Sequence, residues 1–141
     1  MSVPKTKRGI PKLQVITKSR QLAAYSLKIT QNEKNLPKRY RSFVQKEICQ
    51  VATDISAAVY SANSIYVTTA DDYASRRALQ QEALRLTYRL LNNIGIWHKI
   101  RKIDGNRLEY WSELIMDVQN LLRSWRDADA KRYRDIAHNA P

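Results

Sequence analysis

Helix-breaking residues and cysteine are scarce in this sequence. Its 141 residues include three glycines, four prolines and one cysteine. So little glycine and proline favours long helices joined by short connections, and the single cysteine, Cys49, excludes an internal disulfide. No apolar run reaches the roughly 20 residues of a membrane helix, and the N-terminal residues lack the apolar stretch of a signal peptide. We therefore expect a cytoplasmic protein that does not enter the membrane.

The motifs of common catalytic and nucleotide-binding sites are absent as well. No G-x-x-x-x-G-K-[ST], G-x-G-x-x-G or G-x-S-x-G sequence occurs. The two histidines, His98 and His138, do not have metal-ligand spacing with Cys49. Asp71 and Asp72 are adjacent and point in different directions on a helix, which favours a capping role over an acid/base pair. We expect no enzymatic activity and no cofactor, with a carboxylate site inside a helical bundle as the catalytic alternative.

Acidic residues are also scarce, and the first of them is Glu33. The chain carries 25 lysines and arginines against 13 aspartates and glutamates, a formal net charge of +12. An excess of this size favours a polyanionic partner, which can be nucleic acid, an anionic membrane surface or an acidic protein. The alternative is that the charge serves solubility alone.

Apolar residues recur at alternating steps of four and three between Leu36 and Tyr66. This spacing predicts a long helix with all of them on one stripe, available to partner helices. The stripe consists of Val44, Ile48, Val51, Ile55, Ala58, Ala62 and Ile65.

Three further segments have helical periodicity and predict helices over about 12–32, 71–97 and 106–133. The spacing of Thr69 with Asp72, and of Asn106 with Glu109, is typical of N-terminal caps for the last two. The predicted apolar faces are Leu13, Ile16, Leu22, Ala23, Leu27 and Ile29; then Leu79, Ala83, Leu86, Leu90, Leu91, Ile94 and Trp97; and then Leu108, Trp111, Leu114, Ile115, Val118, Leu121, Leu122 and Trp125.

Four long helices with short connections predict an all-α fold, an antiparallel up-and-down four-helix bundle over residues 12–133. Residues 1–11 are expected to form a basic flexible arm that is either disordered or ordered on nucleic acid. Residues 134–141 are expected to form a charged tail that frays.

Basic residues cluster near the predicted helix ends. In an up-and-down bundle, the start of the second helix and the corner after the third lie at the same end. Their basic clusters should therefore converge and neutralise several phosphates together. The candidate nucleic-acid-binding residues are Lys38, Arg39, Arg41, Arg76, Arg77, Lys99, Arg101, Lys102 and Arg107.

Four neighbouring side chains have two interpretations each. Tyr40 and Tyr110 lie within the basic clusters and either stack on unpaired bases or pack their rings on a neighbouring helix. Arg85 and Arg89 either bind a ligand or pair with acids such as Glu82 on the same helix surface.

The run LPKRYR, followed by Val44, Ala52, Ile55 and the Ala62–Asn63 pair, resembles the second helix of a family of small four-helix-bundle proteins. The family comprises the accessory variability determinants (Avd) of diversity-generating retroelements and the proteins encoded by ribosomal RNA intervening sequences. The segments YASRRALQQEALRLTYRLL and LLRSW are similar to the third and fourth helices of the Avd branch. The resemblance covers about residues 12–130, and the basic arm and charged tail depart from it.

This resemblance implies a ring-like homopentamer of four-helix protomers with a basic surface. It also implies binding to nucleic acid and to a reverse transcriptase, which copies template RNA into mutagenised cDNA. On the resemblance, Lys38, Arg39 and Arg41 occupy the basic motif that follows the proline. We thus expect a non-catalytic accessory of a reverse transcriptase that binds RNA or cDNA. The alternative is a protein-interaction scaffold of a mobile element that does not bind nucleic acid directly.

Overall fold

The computed structural model describes residues 11–31 and 38–138, and within them it contains only helices. Four are long: α1 (Pro11–Gln31), α2 (Lys38–Ser64), α3 (Ala70–Ile100) and α4 (Gly105–Arg132). A short helix, α5 (Arg134–His138), follows them. The all-α prediction is confirmed for this part of the chain. The expected arm lies outside it except for Pro11, where α1 begins, and so does the connector before α2.

Neighbouring long helices run antiparallel. The Arg20 guanidinium of α1 lies over the Tyr60 ring of α2, and the Thr30 hydroxyl of α1 lies 3.3 Å from the Cys49 sulfur of α2. Later residues of α1 therefore contact earlier residues of α2, as in an antiparallel pair. Contacts between α2 and α3, α3 and α4, and α1 and α4 follow the same rule. Each long helix packs on two others in a closed ring, which is the up-and-down bundle that the sequence predicts.

The buried faces of α2, α3 and α4 follow the predicted stripes closely. On α2 the residues from Ile48 to Ala62 of the stripe are buried, whereas Val44 and Ile65 at its ends are half-buried. The rings of Trp97, near the end of α3, and Trp111, near the start of α4, pack edge-on in the core with their centroids 5.6 Å apart. Trp111 and Trp125 are therefore core residues, as predicted.

The face of α1 differs from the prediction. Leu13 is 51% exposed, and the buried stripe instead includes three hydroxyl residues, Ser19, Ser26 and Thr30. Each hydroxyl donates to a carbonyl oxygen of its own helix one turn earlier, at 2.8–3.0 Å. Because these bonds satisfy the hydroxyls locally, polar residues occupy core positions that an apolar pattern does not indicate.

The two predicted N-terminal caps have different outcomes. Thr69 and Asp72 form a reciprocal capping box at the start of α3, as predicted. The second prediction is wrong, because the cap of α4 is Asp104, whose carboxylate accepts from the backbone N–H of Arg107 at 3.3 Å. The helix consequently begins at Gly105, and the corner after α3 is shorter than expected.

The capping box makes part of the stability depend on pH. Bonds from the Thr68 backbone amide and hydroxyl, and then from Thr69, hold the pKa of Asp72 below its ordinary value of 3.8. Because the pKa of Asp72 is lower in the folded protein than in the unfolded chain, its ionised carboxylate stabilises the fold at pH values above the ordinary pKa. This stabilisation is lost as the pH falls through the lowered pKa of the folded protein. Asp72→Asn should therefore flatten the fall in unfolding free energy between about pH 5 and about pH 2. Urea titrations across this range measure it, with Asp71→Asn as a charge-matched control.

Residues 134–138 form α5, whereas the sequence predicts that they fray. This short helix contacts α3 and α4. The rings of Tyr73 and Tyr133 lie 5.6 Å apart where the chain leaves α4. Residues 139–141 of the predicted tail lie outside the described part. No helix among the described residues is both long enough and apolar enough to cross a membrane.

Candidate nucleic-acid interface

The antiparallel bundle brings two predicted basic clusters to one end. α2 begins at Lys38, and α3 ends at Ile100, shortly before α4 begins at Gly105. Because α2 and α4 run in one direction and α1 and α3 in the other, these termini share an end. We call this the basic end and define it by Lys38, Arg39, Arg41, Lys99, Arg101, Lys102 and Arg107.

Hydrogen bonds at the basic end order the corner that carries Arg101 and Lys102. The backbone N–H of Ile103 donates to Nδ1 of His98 at 2.9 Å, and the Ile103 side chain is buried. The Tyr25 hydroxyl of α1 donates to the carbonyl oxygen of Arg107 at 3.4 Å. Burial raises the pKa of Tyr25, against an opposing effect of the Arg107 charge, so this hydroxyl keeps its proton. The corner is thus tied to both α1 and α3.

Five exposed cations of the basic end have no carboxylate partner among the described residues. Lys38, Arg39, Lys99, Arg101 and Lys102 are exposed, and none forms an ion pair with a residue of the described ranges. The carboxylate of Glu47 is bonded to Arg89 and Asn93, and that of Asp104 caps α4.

The start of α2 adds a helix dipole to these charges. Its first turn contains no acidic residue. Positive side chains therefore stand at the positive end of the helix dipole, an arrangement that repels other cations and favours a bound anion.

Arg76 does not belong to an accessible basic surface, and we remove it from the candidate set. It is 5% exposed, and its guanidinium makes two bonds to the Asp129 carboxylate at 2.7 and 2.9 Å. Gln80 donates to the same carboxylate at 2.7 Å, and the guanidinium lies 5.0 Å from the Trp125 ring centroid. Arg76 thus joins α3 to α4 inside the bundle.

Arg77 lies at the opposite end of the bundle from the basic end. It stands near the start of α3, so about 33 Å of helix separates it from Lys99, at 1.5 Å per residue. Its guanidinium donates to the Tyr73 hydroxyl at 3.1 Å. The structure therefore does not bring Arg77 together with the other candidates.

The alternatives for Arg85 and Arg89 are resolved in favour of ion pairs. Arg85 binds both carboxylate oxygens of Glu82, at 2.6 and 2.9 Å. These contacts raise the pKa of Arg85 and lower that of Glu82. Arg89 pairs with Glu47 across the α2–α3 interface.

The two tyrosines of the basic end pack against the protein. Tyr40 is half-buried against the core, with the Arg39 guanidinium 5.1 Å from its ring centroid. The Tyr110 ring packs edge-on against Tyr25 at 4.8 Å, and its hydroxyl accepts from Gln21. Packing is thus the interpretation that the structure supports for both rings.

A different aromatic residue is exposed beside the basic end. Phe43, the single phenylalanine of the chain, is 79% exposed on α2. Phe43 is not among the residues predicted from the sequence, because it lies beside the apolar stripe of α2 and not on it. Its spacing from Arg39 and Lys46, four residues before and three after, would have placed all three on one outer face.

The arrangement can bind anions through several exposed cations on a rigid support. In the described ranges, no group of three histidine, cysteine or carboxylate residues is placed to hold a metal ion. No family model, curated protein or solved structure matches this chain.

Proposed function

We propose that this protein is a non-catalytic nucleic-acid-binding protein that contacts phosphates through the basic end. The observation that carries the proposal is the convergence of exposed cations, without ion pairs to described residues, from two separate helix junctions. Lys38 and Arg39 come from the start of α2, and Lys99, Arg101 and Lys102 come from the corner before α4.

The chemistry of the proposed contact is electrostatic. Each lysine or arginine that neutralises a phosphate releases a condensed counterion, and this release drives binding without reading sequence. The bundle contributes rigidity, because the cations stand on helices whose packing already orders the backbone. Binding therefore costs little conformational entropy beyond that of the long side chains.

The test is the salt dependence of binding to a single-stranded RNA. If the five exposed cations each neutralise one phosphate, log K should fall against log[salt] with a slope of about −3.5, at about −0.7 per contact on a single strand. Fluorescence anisotropy with a labelled oligonucleotide between about 50 and 200 mM salt measures this slope. Absence of binding at low salt, or binding that salt does not weaken, would contradict the proposal.

Two finer parts of the proposal rest on the family resemblance. The first is that the nucleic acid is the template RNA or cDNA of a diversity-generating retroelement and that the protein assists its reverse transcriptase. A reverse-transcriptase gene with a template repeat beside the encoding gene would support this part. The second is assembly into a homopentamer, for which sedimentation velocity gives the mass directly.

A groove between α1 and α2 favours self-association as part of this proposal. The groove has a volume of about 540 Å³, and small side chains line most of its length, including Ala23, Ala24, Ser56 and Ala57. Small residues let another helix approach closely, and we propose that a helix of a second copy packs on this surface.

The same groove is the observation in favour of the scaffold alternative, in which a different protein occupies it. A protein partner that is retained after nuclease treatment, with no binding of RNA or DNA, would support that alternative.

A further inference from the structure

Phe43 presents an aromatic ring to solvent at the basic end. The ring is 79% exposed, although burying a phenyl ring is among the strongest contributions a side chain can make to a core. It projects from the second turn of α2, beside residues that pack inward, such as Val44 and Ile48.

Two cations lie on the same face of α2 as this ring. Arg39 precedes Phe43 by four residues and Lys46 follows it by three, so each stands about one helical turn, roughly 5.4 Å of rise, from the ring. Both are exposed, and neither forms an ion pair with a described residue. The nearby carboxylate of Glu47 is bonded to Arg89 and Asn93.

A shallow depression lies between the ring and α3. It has a volume of about 150 Å³ and is lined by Phe43, Val44, Glu47, Asn93 and Ile96. Ile96 is 48% exposed, and it supplies an aliphatic surface next to the ring. This space is smaller than the roughly 300–1,000 Å³ of typical small-molecule sites, so it suits a single flat group lying against the ring better than a larger ligand.

The size and charge of this surface argue against a protein partner. A stable protein interface buries about 800 Å² on each side. In the described part of the chain, the large exposed apolar side chains here are Phe43, Ile96 and Ile100, and the exposed cations Arg39, Lys46 and Lys99 lie within one helical turn of them along the same helices. An exposed ring with a cation one turn away on either side is instead typical of surfaces that stack an unpaired base and neutralise its flanking phosphates.

We infer that Phe43 is a stacking platform for one unpaired base of a single-stranded nucleic acid, with Arg39 and Lys46 binding the flanking phosphates. The inference deepens the proposed function and rests on it, because it names single strands and loops as the substrate class. Bases within a duplex already stack on each other and cannot reach the ring, so duplex binding does not use Phe43.

The experiment compares Phe43→Leu and Phe43→Tyr with the unchanged protein on a single-stranded RNA and on a blunt RNA duplex. Leucine keeps an apolar side chain without a ring, whereas tyrosine keeps the ring. Phe43→Leu should weaken single-strand binding by about 5- to 100-fold and leave duplex binding unchanged. Phe43→Tyr should retain the original single-strand affinity. Photo-crosslinking of an iodouridine-containing single strand should map to the peptide that contains Phe43.

The salt slope separates this inference from the proposed function. The slope counts phosphates, so Phe43→Leu should keep it while losing affinity. If binding depends on salt but Phe43→Leu binds single strands as tightly as the unchanged protein, the stacking inference is overturned and the proposed function stands. Equal losses on single strands and duplexes would also overturn it, as would a loss of self-association with unchanged RNA binding, which would assign the ring to a protein contact. Circular dichroism confirms that the variants fold.

Discussion

Replacing Asp129 with alanine should lower the free energy of unfolding by about 3–5 kcal/mol. The Asp129 carboxylate is buried between α3 and α4 and accepts two bonds from the Arg76 guanidinium and one from the Gln80 amide. Removing it leaves a buried cation and a buried amide without their acceptor. An uncompensated buried charge is among the most destabilising results of a single substitution. Urea unfolding followed by circular dichroism measures the change as a shift of midpoint at constant slope.

A double variant tests whether this loss comes from the orphaned charge. Arg76→Met with Asp129→Leu removes both charges and fills the space with apolar atoms, so most of the lost stability should return. The exposed pair of Arg85 and Glu82 is the matched control, because exposed ion pairs contribute little and Glu82→Gln should not shift the midpoint measurably. If Asp129→Ala shifted the unfolding midpoint no more than Glu82→Gln did, water would have to solvate Arg76. The site would then not be a buried part of the core.

Neutralising three cations of the basic end should weaken binding to single-stranded RNA by about 10²- to 10³-fold at roughly 50 mM salt. The variant combines Arg39→Gln, Arg101→Gln and Lys102→Gln. Each lost phosphate contact lowers the magnitude of the salt slope by about 0.7, so the slope should become shallower by about 2. All three side chains are exposed, so the melting temperature should stay near its original value. Anisotropy titrations at several salt concentrations give both quantities.

A matched variant at the opposite end distinguishes a local interface from a general effect of charge. Lys131→Gln, Arg132→Gln and Arg134→Gln also neutralise three exposed cations, around the end of α4. Both variants lower the formal net charge by three, from +12 to +9. The control should lose only a few-fold in affinity, through the long-range field. Equal losses in the two variants would mean that binding follows net charge and that the basic end is not the interface.

Most of the fold could be predicted from local patterns. The four-three spacing of apolar residues on α2, α3 and α4 depends only on helix geometry, and the buried faces follow it. The capping box of Thr69 and Asp72 is equally local, because its bonds join residues three positions apart. Once four antiparallel helices are predicted, the meeting of the clusters around Lys38 and Arg101 follows from connectivity alone.

The remaining features depend on contacts between residues that are distant in sequence. Arg76 looks like other surface arginines in the sequence, and only its partner 53 residues away makes it a core residue. Tyr110 is engaged by Tyr25, from the opposite side of the α1–α4 interface. Phe43 lies beside the apolar stripe of α2, and only the packing of the helices shows that its ring stays 79% exposed.

The sequence by itself determined the number of long helices, their buried faces on α2, α3 and α4, and the end at which two basic clusters meet, because each depends on periodicity and chain direction. The tertiary structure decided which polar side chains are buried and which ring stays exposed. Burial of a polar or charged group depends on whether a partner from another helix satisfies it, and exposure of an apolar ring depends on whether another helix covers it. Neither condition can be predicted from the spacing of residues along one helix.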